Sequence, residues 1–174
     1  PHVLFVRGNV DALSMRTLSF VGTREISPSG LYITDRLIGD LATQIDDLAI
    51  VSGMAYGADG AAHRAALNHG IATIGVVASV LPTVTPTSHR ALAGLSSGLV
   101  VVESPATGGS LATAEQADSY GRVVMAVPGR LTDTTSFGTN NLIRSGKARL
   151  ILSAADIIED LGWERIQKRR AEEP

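Results

Sequence analysis

Several residue types and segments are absent from this 174-residue chain, and each absence excludes a class of protein. The chain contains no cysteine, which excludes disulfides and thiolate chemistry and is consistent with a reducing cytoplasm. No apolar run approaches the roughly 20 residues that span a bilayer, and the N-terminus has no basic-then-apolar signal pattern. The net charge is −2, so no global basic field indicates a nucleic-acid partner.

Sequence patterns typical of cofactor and metal sites are also missing. Neither the dinucleotide fingerprint GxGxxG nor the P-loop GxxxxGK[ST] occurs after any predicted strand. The four histidines are too scattered for a metal site, and no nucleophile lies beside a base. We therefore predict no metal, no cofactor and no catalytic residue. Among the 15 basic residues only Lys147 and Lys168 are lysines, and arginine suits bidentate phosphate contacts, although codon bias explains the same count.

The remaining composition, 44% hydrophobic and 18% charged with 18 glycines, predicts one compact domain. Apolar runs alternate with amphipathic stretches, which predicts an α/β fold with a doubly wound, mainly parallel sheet and helices on both faces. We expect residues 1–17 to be a leader that packs on the domain edge, 18–163 to form the domain, and 164–174 to be a charged tail. The predicted strands are 18–21, 48–52, 72–78, 98–103, 123–127 and 149–152. The predicted helices are 28–44, 59–69, 111–120 and 154–161. Between the last two strands we expect a polar loop and a short segment at 141–145.

Glycine-bearing turns follow four of these strands. They are Gly22-Thr23-Arg24, Ser52-Gly53, Gly108-Gly109-Ser110 and Pro128-Gly129. Because the carboxyl ends of parallel strands meet at one sheet edge, we expect these turns to form an anion-binding crevice. Phosphate would be held by backbone N–H groups, by Arg24 and Arg64, and by the hydroxyls of Thr23, Ser52 and Ser110.

Each candidate residue also has a purely structural interpretation. The glycine loop after strand 48–52 could be an ordinary strand-to-helix turn, and Arg24 could pair with Glu25 or Asp59 at the surface. We interpret Asp59 as a helix N-cap and Glu103 as a structural carboxylate. His63 fits a packed core histidine or a ligand contact equally well. Tyr56 could stack on a nucleic-acid base or cover the core.

The motifs in order resemble those of the DprA/Smf family, the DNA-processing proteins of bacterial transformation. The resemblance rests on VGTR at 21–24, VSGMAYGADGAAHRAAL at 51–67, ALAGLSSGLVVVES at 91–104, GGSLATAEQA at 108–117, AVPGR at 126–130 and GTNNLI at 138–143. It covers residues 3–163. The family's central domain is Rossmann-like, so the resemblance implies the same fold as the strand and helix pattern.

The resemblance further implies a cytoplasmic, non-enzymatic protein that binds single-stranded DNA, and double-stranded DNA more weakly. It implies a homodimer that protects incoming DNA and loads the RecA recombinase onto it. The phosphate backbone would be held by Gly22-Thr23-Arg24, Ser52-Gly53 and Gly109-Ser110, which suits sequence-independent binding. Arg64 and Arg90 are further candidates.

The chain departs from the family between Val80 and Gly98, where it is shorter by about thirty residues, as judged from the family resemblance. LPTVTPTSHR at 81–90 and ALAGLS at 91–96 resemble the start and end of the longer family segment, and its basic Arg-Asn-Arg motif has no counterpart except Arg90. Either the segment is deleted, or the sequence joins the flanks of a longer loop at about Arg90-Ala91. We favour the second, because both flanks are intact.

Two other functions remain open. The cytokinin-activating phosphoribohydrolases, also called lysine-decarboxylase-like proteins, share this sheet and carry a PGGxGTxxE motif. Gly108-Gly109 and Glu115 match that motif, but Leu111 and Ala112 replace its Gly-Thr. A sensor of small nucleotides could use the same crevice.

Overall fold

The computed structural model describes residues 4–78 and 89–164, and for His89 and Arg90 it describes the backbone alone. Six strands alternate with six α-helices, preceded by a short 3-10 turn at Val10–Ser14. The strands are β1 Arg16–Val21, β2 Leu48–Ser52, β3 Ala72–Gly75, β4 Gly98–Val101, β5 Val123–Ala126 and β6 Arg149–Leu150. The helices are α1 Pro28–Ala42, α2 Ala58–Asn68, α3 His89–Leu95, α4 Gly109–Ser119, α5 Phe137–Arg144 and α6 Ala154–Asp160.

The strands form one sheet in the order β3-β2-β1-β4-β5-β6, and all five neighbouring pairs are parallel. This confirms the predicted Rossmann-like, doubly wound fold, and the sheet is wholly parallel rather than mainly so. The chain leaves β1 toward β2 and leaves β4 toward β5, so the strand order reverses between β1 and β4. Ligands of doubly wound folds bind at the carboxyl ends of the strands at such a reversal.

Two apolar layers cover the two faces of the sheet. Side chains of α1, α2 and α6 pack on one face around Leu18, Phe20 and Ile50. Side chains of α3, α4 and α5 pack on the other face around Val51, Leu99 and Val101. The central strands alternate between the two layers and are buried on both sides, as their nearly continuous apolar sequences require.

The observed elements differ from the predicted ones in several places, and helix α3 at His89–Leu95 was not predicted at all. β1 begins at Arg16, because the Arg16 N–H donates to the carbonyl of Asp47 at 2.8 Å and extends the ladder with β2. β3 ends at Gly75 and is only partly buried, because it is an edge strand and pairs with β2 alone; the prediction of a strand covered on both faces was wrong. The predicted polar loop around residues 138–140 is the first part of α5. Within the described residues, no helix is long and apolar enough to cross a membrane.

Candidate functional site

A crevice of about 280 Å³ opens at the carboxyl ends of the strands, where β1 and β4 lie side by side. Three loops form its walls: the turn after β1, the loop between β2 and α2, and the loop between β4 and α4. The lining residues are Val21, Gly22, Thr23, Arg24, Ala55, Asp59, Leu92, Pro105, Gly108, Gly109, Ser110 and Thr113. The predicted turns after β1 and β4 therefore meet in one site, at the reversal point of the sheet.

The turn that carries Arg24 is held by close backbone packing. The Thr23 N–H donates to the carbonyl of Glu103 at 2.7 Å, and the Thr23 carbonyl accepts the Ala58 N–H at 3.0 Å. Gly57 lies against this turn with φ +78°, and a Cβ there would come within 2.3 Å of the Thr23 carbonyl oxygen. The packing fixes the backbone of Arg24 while its side chain remains exposed at the rim of the crevice.

The N-terminus of α4 forms the opposite wall. Gly108 precedes the helix, no side chain caps it, and its first turn contains no acidic residue. The first N–H groups of a helix have no partner within the helix, and the helix dipole adds positive potential at this end. The Ser110 hydroxyl is buried and shares a hydrogen bond of 2.9 Å with the Ser104 hydroxyl. This end of α4 is suited to hold an anion.

A buried carboxylate, Asp59, also lines the crevice from the first turn of α2. It accepts a long hydrogen bond of 3.4 Å from the Ala55 N–H. Burial raises the pKa of Asp59 above its usual 3.8, and the Ala55 N–H and the nearby Ser52 hydroxyl offset part of that rise, followed by smaller effects of the positive charges of His63 and Arg24.

The Ser52-Gly53 turn is not part of the crevice lining. Ser52 is fully buried, and its hydroxyl donates to the carbonyl of Phe20 at 2.6 Å. The Gly53 carbonyl faces Nε2 of His63 at 2.7 Å, and Nδ1 of the same ring lies 2.6 Å from the Thr73 hydroxyl. Both ring nitrogens of His63 thus have protein partners. These contacts favour a positioning role for Ser52 and Gly53, and direct phosphate contact by either remains a prediction.

Arg64 and Arg90 are the two remaining predicted arginines. Arg64 is exposed on α2 and is absent from the lining residues. Arg90 lies in α3, directly before Ala91 in the same helix, and its side chain is outside the part of the chain that the structure describes. Phosphate contact by either arginine stays a prediction.

The fourth predicted turn, Pro128-Gly129, lines a separate, larger cavity of about 590 Å³. This cavity lies between the start of α1 and the loop of residues 128–136. The Asn140 side chain accepts the Gly129 N–H at 3.1 Å and donates to the Gly129 carbonyl at 3.0 Å, which fixes the turn. Glu103 holds the start of α1 beside it, since its carboxylate accepts the Ser27 N–H at 2.9 Å and the Ser27 hydroxyl at 2.5 Å. The expectation that all four turns line one crevice was therefore wrong.

Comparison with known proteins identifies the family of this chain. The family model described as DNA recombination-mediator protein A matches residues 1–94 and 81–162. The chain belongs to this family. It is 33% identical over 192 residues to the DNA processing protein DprA of Streptococcus pneumoniae, an alignment that covers 92% of this chain and 67% of that protein.

Two solved structures share the fold. The X-ray structure of DprA from Streptococcus pneumoniae superposes with a TM-score of 0.76 at 32% identity, over 87% of this chain and 63% of that one. A Helicobacter pylori DprA structure, whose description concerns a single-stranded DNA binding mode of that protein, has a TM-score of 0.72 at 24% identity, over 88% of this chain and 84% of that one. The chain spans between about half and two thirds of the length of the curated relatives that it matches most fully.

The relatives are longer than this chain over the aligned stretch. The alignments with relatives run over 192 to 200 positions, more than the 174 residues of this chain, so the relatives carry inserted residues. The two matched stretches of the family model overlap at residues 81–94, where the resemblance places the missing segment.

Asp59, Ala55 and Pro105 are lining residues that the sequence interpretation did not assign to the site. Asp59 was interpreted as an N-cap, yet Gly57 precedes α2 and Asp59 lies in its first turn. The signal for Pro105 was its place in the loop between β4 and α4, after Ser104 and before the glycine pair. The apolar type of Ala55 and Pro105 gave no chemical reason to select them.

Proposed function

We propose that the crevice binds the phosphate backbone of single-stranded DNA. The observation that carries the proposal is the uncapped N-terminus of α4, which shares one crevice with Arg24 at the reversal point of the sheet. Backbone N–H groups and an arginine recognise phosphate in any sequence, because every nucleotide presents the same group. The family membership supports nucleic acid as the ligand, and the description of the Helicobacter pylori relative supports its single-stranded form.

The proposal extends to the cellular role. As a recombination mediator, the protein would protect incoming single strands in the cytoplasm and pass them to the RecA recombinase, acting as a homodimer during transformation. The family description supports the recombination step. Double-stranded DNA would bind more weakly, because its phosphates are fixed on a stiff helix and cannot follow a narrow crevice.

The role is one of binding rather than catalysis. Glu115, the acidic residue that a phosphoribohydrolase would need, is exposed on α4 and lies 3.4 Å from Nζ of Lys147. It borders a different cavity with Asp118 and Leu142, and it does not line the crevice. The chain therefore places no carboxylate at that motif position beside a bound nucleotide, and we expect no release of base from nucleoside monophosphates.

Fluorescence anisotropy with labelled DNA at two salt concentrations tests this function. We expect single strands of unrelated sequence to bind with similar affinity, tighter than a duplex of equal length, and to weaken as salt rises. A mononucleotide should compete poorly, because it offers one phosphate to a site that follows a chain. Tight binding of a mononucleotide with no affinity for oligonucleotides would instead support the small-nucleotide sensor.

A further inference from the structure

Tyr56 stands in solvent beside the crevice. Its side chain is 89% exposed, so it does not cover the core. It is the residue between Ala55, which lines the crevice, and Gly57, which packs against the turn of Arg24. The twelve lining residues include no aromatic side chain. Two aromatic residues adjoin the lining along the chain, and of these Phe20 is fully buried whereas Tyr56 is exposed.

The backbone on both sides of Tyr56 is fixed although its ring is free. The Ala55 N–H donates to the Asp59 carboxylate at 3.4 Å. Gly57 lies so close to the Arg24 backbone that a Cβ would come within 2.4 Å of the Arg24 carbonyl oxygen. The Cα atoms of neighbouring residues are about 3.8 Å apart, so the base of the ring is held near both the crevice wall and the Arg24 turn.

A second exposed apolar side chain lies on the other side of Ala55 along the chain. Met54 is 49% exposed, and its sulfur lies over Gly75 at the end of β3, where a Cβ would come within 2.7 Å of it. Met54 and Tyr56 are thus two exposed side chains on either side of Ala55, a flexible thioether and a phenol ring, and both kinds of group contact flat apolar surfaces well.

We propose that Tyr56 is a stacking platform for an unpaired nucleobase of the strand whose phosphate lies between Arg24 and α4. The inference rests on the proposed function. Every base has a π-face, so stacking on a tyrosine adds affinity without sequence preference. The bases of a duplex are already stacked on each other and are not free to stack on the Tyr56 ring. Tyr56 would therefore add to the preference for single strands that the narrow phosphate-binding crevice already provides.

An abasic strand separates the two kinds of contact. Binding of oligodeoxythymidylate is compared with binding of a deoxyribose-phosphate strand of equal length and charge, for the parent and for Tyr56→Ala and Tyr56→Phe. Tyr120→Ala is the matched control, because Tyr120 follows the C-terminus of α4 at the opposite edge of the sheet. Thermal melting of each variant shows that the fold is retained.

We expect the parent to prefer thymidylate over the abasic strand by about fivefold or more, as one stacked base provides. Tyr56→Ala should lose most of this preference while its affinity for the abasic strand stays constant. Tyr56→Phe and Tyr120→Ala should keep it. An unchanged preference in Tyr56→Ala, or an equal loss of affinity on both strands, would overturn the stacking role and leave the phosphate site intact. Failure of the parent to bind either strand would refute the proposed function itself, and the stacking role with it.

Discussion

Gly57 packs against the turn that carries Arg24, and the effect of its replacement by alanine on stability can be worked out from the structure. Its φ of +78° is a conformation that residues with a side chain rarely adopt, and forcing one into it costs about 1–3 kcal/mol. The added methyl group would also lie 2.3 Å from the Thr23 carbonyl and 2.4 Å from the Arg24 carbonyl. Both carbonyls must move, and the hydrogen bond from Ala58 to Thr23, worth about 1 kcal/mol, is lost. We expect Gly57→Ala to lower the free energy of unfolding by about 2–4 kcal/mol.

Gly70→Ala is the matched control for this change. Gly70 has a similar φ of +69° after α2, but a Cβ there would meet no atom within 4 Å. This variant should lose only about 1–2 kcal/mol of stability, the cost of the conformation alone, and should bind DNA as the parent does. Urea unfolding measures the stabilities, and anisotropy at a temperature where both variants are folded measures affinity. If Gly57→Ala were no less stable than Gly70→Ala and bound single strands normally, the packing of Gly57 on the Arg24 turn would not position the site.

Three further substitutions test the surroundings of the crevice. Burial raises the pKa of Asp59 above 3.8, so its carboxyl contributes stability that is fully present below pH 3.8 and is lost as pH rises through the raised pKa. Asp59→Asn should abolish this loss of stability in urea unfolding measured from pH 3.8 to neutrality. A variant that lost stability as steeply as the parent would exclude Asp59 as the source. Asn140→Ala should lower the free energy of unfolding by about 1–3 kcal/mol, because it leaves the N–H and the carbonyl of Gly129 unpaired. DNA affinity should stay the same, because Asn140 holds a turn that lines the other cavity. Weakened binding in a folded variant would show that the two cavities act together. Glu103→Gln should cost a similar amount, because the amide NH2 group replaces one of the two carboxylate oxygens that accept from Ser27. Thermal melting measures this cost, and unchanged stability would argue against a structural role of Glu103.

The sequence predicted the sheet well because its strands are nearly continuous apolar runs that end in glycine turns. β2 was predicted at residues 48–52 and is observed at Leu48–Ser52, since all five residues are buried and Ser52 begins the turn. α5 was missed because its first residues, Phe137 to Asn140, include a glycine, a threonine and an asparagine, which have low helix propensity. Tertiary contacts decide there: the Gly138 N–H donates to the Ser104 carbonyl at 2.8 Å and holds the start of the helix on the exit of β4.

Only part of the site was predicted, because its composition depends on contacts between distant parts of the chain. Strand order determines which turns adjoin, and it cannot be read from the sequence of any one turn. β1 and β4 are neighbours, so Gly22-Thr23-Arg24 and Gly109-Ser110 share the crevice, whereas the turn after β5 opens on the side of α1. The direction in which a single side chain points also depends on its packing in the fold, which the residue type does not reveal. Ser52 has the residue type of a phosphate ligand, but it faces the Phe20 carbonyl within the sheet.

The salt dependence of single-strand binding in Arg24→Ala tests the central claim most directly. Each phosphate contact to a single strand contributes about 0.7 to the slope of log affinity against log salt. Arg24→Ala should reduce the slope by about that amount and weaken binding to thymidylate and mixed sequences by the same factor. Arg144→Ala, in the last turn of α5 and away from the crevice lining, should match the parent. An Arg24→Ala protein with the parent's slope and affinity would contradict the assignment of this crevice as the phosphate-binding site.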